Sequence, residues 1–261
     1  ERRNVPMSAP MATTTNSRTE NPAHFRDSGK PGRECPLCPR LVAFRTDWRR
    51  REPGWFNAPV ASFGDKTARL LIVGLAPGLQ GANRTGRPFT GDYAGDLLYG
   101  ILLEFGFARG IFAARPDDSL ELLDARITNA VRCVPPENKP TPQEIKTCRG
   151  FFTATIWEMK NLRAIVALGR VAHETTVATL GARKSAVPFK HGGRNEIDGL
   201  MLFDSYHCSR YNTNTGVLTP QYAPIEQYAL DSKQGPWSDI YSAAAVLHHA
   251  IVGRPPPEAA A

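Results

Sequence analysis

Four short apolar runs punctuate this chain, separated by stretches in which apolar residues recur at helical spacing. Arg69-Leu-Leu-Ile-Val-Gly-Leu75 is continuously apolar and breaks into a glycine-rich loop reaching about Asp92. Such a run predicts a strand buried on both faces, as in a parallel sheet. Leu97, Leu98, Ile101, Leu102 and Phe105 then follow at helical spacing. Leu123–Val131 carries alternating apolar positions and predicts a second strand ending near Asn129. Thr141-Pro-Gln-Glu144 is a capping box with proline at the first helical position, which predicts a helix to about Met159. Arg163–Leu168 predicts a third strand, followed by a helix from Arg170 that stops at Gly181. Gly199–Ser205 predicts a fourth, and the apolar, Ala-rich stretch Ser238–Val252 a closing helix.

Strands alternating with helices imply an α/β fold. The expected architecture is a single-domain three-layer sandwich, with a central, mostly parallel, four-stranded sheet flanked by helices. The loops beginning at Gly74, Asn129 and His207 then all leave carboxyl ends of strands. Ligands of such folds bind in the crevice along that edge. Three loops far apart in sequence are therefore expected to meet in one pocket.

Composition narrows this picture. The chain has 261 residues, 41% of them hydrophobic, which is ample for a core and excludes a wholly disordered chain. No apolar run approaches the roughly 18 residues of a membrane helix. Residues 1–29 are polar and rich in Ser, Thr, Asn and Pro, so they are expected to be a disordered tail, as is the Pro-rich 254–261. Folding is then confined to residues 30–253. The N-terminus lacks the layout of a secretion signal, and five cysteines cannot all pair, so a reducing cytoplasm is expected. The 22 glycines and 22 prolines exceed the usual combined share of about 12% and signal many loops. A net charge of +7 favours a polyanionic partner.

Cys35-Pro-Leu-Cys38 is a chelating turn, and Cys133 and Cys148 lie in loops or helix starts near prolines. Four thiolates suit tetrahedral zinc or an iron–sulfur cluster, and spacing does not separate the two. The alternative is that Cys133 and Cys148 are small core residues. Cys208 reads as a structural residue in the His207 loop. The glycine-rich loop Gly74–Asp92 contains neither a P-loop nor a dinucleotide fingerprint. Its amides, with Arg84 and Arg87, are placed to hold phosphate. His207-Cys-Ser-Arg-Tyr-Asn-Thr-Asn-Thr-Gly216 is dense in hydrogen-bond donors. His173, His248 and His249 read as structural, and His191 as either a phosphate contact or inert.

These pieces, in this order, resemble the uracil-DNA glycosylase superfamily, most closely its family 5 (type b) bacterial and archaeal members. The resemblance is carried by Gly74-Leu-Ala-Pro-Gly78, Gly81–Asp92 (GANRTGRPFTGD), Ile127–Cys133 (ITNAVRC), His207-x-Ser-Arg-x-Asn-Thr-x-Thr-Gly216 and the four cysteines. It implies removal of a deaminated base from DNA, with uracil, hypoxanthine and other damaged bases as candidate substrates. It also implies a [4Fe–4S] cluster on Cys35, Cys38, Cys133 and Cys148, with zinc the alternative occupant. By the same resemblance Phe89 stacks on the flipped base, Asn129 reads its edge, and His207 donates to the departing base. Gly74, Leu75, Ala76, Pro77 and Gly78 line the substrate, and Ser209, Arg210 and Asn212 extend the binding surface. Arg210 and Tyr211 are the candidates for a wedge into the minor groove.

One position departs from the wider superfamily. Many relatives carry Asp or Asn at the third position of the first motif, and family 4 carries Glu at the second; here these are Ala76 and Leu75. Neither orients water. Asn83 is the first candidate for that role and Asp92 the second, although Asp92 also suits an N-cap for a helix starting at Tyr93. The expected protein is a monomeric, cytoplasmic, nucleoid-associated enzyme acting on DNA, with no membrane partner. The competing reading is a non-catalytic iron–sulfur or zinc module that senses DNA damage.

Overall fold

The apolar run after Arg69 forms strand β1 (Leu70–Gly74), every residue of which is buried. In the computed structural model, residues 30–208 are described. The expected tails, the closing helix at 238–252, and Ser209, Arg210, Tyr211 and Asn212 lie outside the described residues.

Four parallel strands make up most of the sheet: β1, β4 (Ala125–Asn129), β5 (Ala164–Leu168) and β7 (Leu200–Ser205). These are the four strands expected from the apolar runs. The sheet is nevertheless five-stranded, in the order β4-β1-β5-β7-β6, because β6 (Arg194–Ile197) adds antiparallel to β7. Asp198 and Gly199 join them with φ of 51° and 71°, the paired left-handed conformation of a two-residue hairpin. The strand is polar apart from its last residue and lies at an edge, so the apolar pattern does not reveal it. A separate two-stranded ribbon pairs β2 (Ala108–Arg109) with β3 (Glu121–Leu122).

Helices α1 (Pro39–Arg51), α2 (Ala82–Thr85), α3 (Tyr93–Glu104), α4 (Pro142–Glu158) and α5 (Arg170–Thr179), with a short 3-10 turn at Pro136–Asn138, complete the described elements. Strand alternation sends Leu70 and Ile72 to one face, where Leu97, Leu98, Ile101 and Leu102 of α3 cover them. Leu71 and Val73 face the other way, against Phe152 and Ile156 of α4 and Ala172 and Val177 of α5. Each fully buried aliphatic side chain contributes about 1.5–3 kcal/mol. The capping box of α4 forms as expected, with Thr141 and Glu144 exchanging hydrogen bonds. From β1 the chain moves outward to β4, then crosses back to β5 on the other side of β1. The carboxyl end of β1 is therefore a switch point, where an open α/β sheet leaves a crevice.

Candidate active site

Gly74 and Asn129, the last residues of β1 and β4, are register partners at this edge. The strands stay stitched beyond their ends, because the amides of Ala130 and Val131 donate to the carbonyls of Gly74 (2.9 Å) and Leu75 (3.0 Å). Glycine is required at 74 by proximity. A Cβ there would overlap Asn129 Oδ1 and lie 2.7 and 2.8 Å from two carbons of the Phe89 ring. The strand end, the amide and the ring are thus packed around one point.

Phe89 is held from several sides. Its φ is +53°, a conformation that costs a side-chain-bearing residue energy and persists when the surroundings impose it. The Tyr99 hydroxyl donates to the carbonyl of Pro88 (2.7 Å), and Gly95 leaves room for the carbonyl of Phe89. On the other side of the crevice, the His207 ring stacks on Phe89 with centroids 5.7 Å apart. Burial lowers the pKa of His207, so its imidazole is neutral at neutral pH. The chain leading to His207 is tied down, with the Gly169 amide donating to the Ser205 carbonyl (2.7 Å) and the Tyr206 amide to His191 Nδ1 (3.2 Å).

Asn83 is fully buried and its orientation is fixed by a chain of donors. Asn57 spends its side-chain amide nitrogen on the carbonyls of Glu52 and Trp48, which leaves Asn57 Oδ1 to accept from Asn83 Nδ2 at 2.8 Å. Asn83 Oδ1 has no protein partner among the described residues. The Asn83 amide also donates to the carbonyl of Gly78, so it borders the first motif. Asp92 caps α3, accepting from the Gly95 amide at 3.0 Å. Ala76 packs against Leu41, Val131, Cys133 and Cys148, between the strand ends and the cysteines.

Arg87 is not placed to hold phosphate. It is buried in a bidentate ion pair with Asp118, at 2.6 and 2.7 Å, and its guanidinium lies 5.2–5.5 Å from the ring centroids of Phe63, Tyr99 and Phe112. The pair holds the Asp118 carboxyl well below the usual carboxylate range. Nothing in the local sequence around Asp118 points to Arg87, so only the fold reveals the pair. Arg84 is exposed, as a phosphate contact requires.

Cys35, Cys38, Cys133 and Cys148 line one cavity with Leu41, Val131 and Phe151, of about 320 Å³ including the solvent in its mouth. Two thiols receive N–H donors: Arg45 Nη1 lies 3.3 Å from Cys133 Sγ, and the Arg132 amide 3.2 Å from Cys148 Sγ. Burial pushes the Cys133 thiol up to about 11 and the Cys148 thiol up to about 12. As free groups they are protonated at neutral pH, so metal binding requires the metal's charge to displace the protons. Arg45 is itself buried, with no carboxylate at ion-pair distance among the described residues. A buried guanidinium in that setting favours negative charge in the cavity. Among the described residues, no three His, Cys, Asp or Glu side chains are arranged to hold a single metal ion. Nothing in the local sequence marks Arg45 or Arg132 as a donor to sulfur. Arg50 and Arg51 are exposed, while Arg49 is half-buried and bonds the Asn57 carbonyl and Glu34.

Residues 61–228 match the model of the uracil DNA glycosylase superfamily. The chain is 48% identical over 192 residues to the type-5 uracil-DNA glycosylase of Thermus thermophilus, covering 71% of this chain and 87% of that protein. To the type-5 enzyme of Pyrobaculum aerophilum it is 40% identical over 189 residues, 71% of this chain and 82% of that one. A type-4 uracil-DNA glycosylase of Thermotoga maritima is 40% identical over 151 residues, 58% of this chain and 69% of that protein.

Proposed function

This chain belongs to the uracil-DNA glycosylase superfamily, and we propose that it excises uracil from DNA by hydrolysing the N-glycosidic bond in base excision repair. The observation that carries the reading is the packing of Asn129, Phe89 and His207 around the carboxyl end of β1.

The chemistry fits those groups. A base inside a duplex is out of reach, so the nucleotide is flipped out at a cost of a few kcal/mol or so. Phe89 offers the flipped base an aromatic face, and Asn129 offers an amide that donates and accepts at once. As the bond breaks, the base becomes an anion and the sugar an oxocarbenium-like cation. A neutral His207 donating to the base oxygen stabilises that developing charge more than it stabilises the ground state. Asn83 is the first choice for orienting water, because its Oδ1 is a buried acceptor left unsatisfied, on a residue whose backbone amide is bonded to the Gly78 carbonyl. Asp92 is second, since one carboxylate oxygen already caps α3. Ser209, Arg210 and Asn212 complete the DNA-binding surface in this reading. With Ala76 leaving the pocket without a bulky polar group, hypoxanthine and other deaminated bases are candidate substrates beside uracil.

A [4Fe–4S] cluster is the cofactor this reading assigns to Cys35, Cys38, Cys133 and Cys148. Donors spread around a cavity suit a cluster in which each iron takes one thiolate, and sulfur-directed N–H groups are a usual means of stabilising its charge. When bound there, it would cross-link the segment after Asn129 and α4 to the start of α1. The protein is read as a monomer acting on DNA in the cytoplasm.

The test is incubation with a uracil-containing oligonucleotide followed by hot alkali. Strand scission at the uracil is expected. Intact binding without scission would instead support a damage-sensing module.

A further inference from the structure

Beside the crevice, His191 is the side chain that holds the backbone entering His207. A backbone amide only donates, so the 3.2 Å contact from Tyr206 N–H to His191 Nδ1 fixes that nitrogen as an unprotonated acceptor. The two rings also stack, with centroids 5.0 Å apart at 25°. Tyr206 is the residue immediately before His207 and immediately after the end of β7.

His191 is in turn anchored to the sheet. The Gly192 amide donates to the Asp204 carbonyl (2.9 Å) and the Asp204 amide to the Gly193 carbonyl (3.0 Å). Phe189 meets Tyr206 edge-on at 5.6 Å and His173 edge-on at 5.7 Å. His173 is buried, bridging Asp204 Oδ1 (2.7 Å) and the Val187 carbonyl (2.8 Å). Residues 187–193 thus lie clamped along the end of β7. From the opposite side, the Gly169 amide holds the Ser205 carbonyl.

We propose that His191 is a positioning residue for His207, acting through the hydrogen bond its Nδ1 accepts from the Tyr206 amide. The role rests on the glycosylase reading, in which His207 must be held close to the base oxygen. Release of the Tyr206 amide frees the strand-to-loop junction, and misplacement of a catalytic group by about 1 Å costs up to about 100-fold in rate. Burial lowers the pKa of His191, which keeps the acceptor nitrogen available at neutral pH.

Two substitutions separate the acceptor from the ring. His191→Asn keeps an acceptor near the Nδ1 position and loses most of the ring. His191→Phe keeps the stack on Tyr206 and loses the acceptor, and His191→Leu repeats that loss in a smaller side chain. In single-turnover excision, His191→Phe and His191→Leu are expected to be about 10- to 100-fold slower, with binding of uracil-containing DNA unchanged. His191→Asn is expected to retain most of the rate. Ring-nitrogen NMR of His207 gives a readout independent of turnover: its signals shift or broaden in the Phe and Leu variants and are preserved in the Asn variant. Wild-type rates or an unaltered His207 spectrum in the Phe and Leu variants would overturn the proposal, as would an Asn variant as impaired as they are. A wild-type protein that releases no uracil contradicts the glycosylase reading, and the His207 spectra still decide the role of His191.

Discussion

The imidazole of His207 lies over the ring of Phe89 at 5.7 Å between centroids and 23° between planes. The contact joins the loop after β7 to the glycine-rich loop after β1 across the switch point of the sheet. Burial in this contact lowers the pKa of His207 below its ordinary 6.5, so the neutral ring is the form present at neutral pH. A neutral donor gains nothing from added protons. The single-turnover rate is therefore expected not to increase as pH falls from 8 through 6.5; a rise with a midpoint near 6.5 would show that the imidazolium is the active form.

Gly74 tests the packing around the strand end. A Cβ at this position meets the Asn129 amide oxygen and the Phe89 ring, and both are side chains able to shift. Gly74→Ala is thus expected to displace the two groups assigned to the base. Excision should slow by about 10-fold or more, since catalytic constellations tolerate only about 0.5 Å of displacement, while the variant still folds. An unchanged rate would mean that Asn129 and Phe89 need not hold these positions.

Arg87 and Arg84 stand in the same loop with opposite environments. Asp118→Asn leaves the buried Arg87 guanidinium uncompensated and is expected to destabilise the fold by about 3–5 kcal/mol, read as a loss in denaturant midpoint. Arg84→Ala is expected to leave stability unchanged and to reduce the slope of log affinity against log salt by about 1, the signature of one lost phosphate contact. Equal stability of Asp118→Asn and wild type would mean that the ion pair is dispensable.

The parallel strands, the helix caps and the loops leaving β1 and β4 were legible in the sequence because each has a local signature. Apolar runs mark β1, β4, β5 and β7, and the capping box marks α4. The edge strand β6 was not read, since Arg194-Asn195-Glu196 buries little, although Asp198-Gly199 is a hairpin signal that marks it. The fate of Arg87 was misread for a different reason. Its loop has the composition of a phosphate site, and only the fold brings Asp118 and three aromatic rings around it. The cysteine spacing grouped four thiols that do line one cavity. Burial of Arg45 against them is a tertiary fact with no counterpart in the local sequence.

The cysteine cavity has its own test. Protein purified without air is expected to be brown and to contain iron and acid-labile sulfide in equal amounts. Cys133→Ser and Cys148→Ser are expected to lose both the colour and thermal stability, because a cluster on the four cysteines would tie the Asn129 segment and α4 to the start of α1. Zinc without sulfide in the wild-type protein would contradict the assignment.

The roles of His207 and Asn129 are tested most directly by separating chemistry from binding. Single-turnover uracil release and equilibrium binding of uracil-containing DNA are measured for wild type, His207→Ala and Asn129→Ala. Both variants are expected to release uracil about 100- to 1,000-fold more slowly, while their affinities stay within a few-fold of wild type. Equal losses of rate and affinity, or wild-type rates in either variant, would contradict these roles.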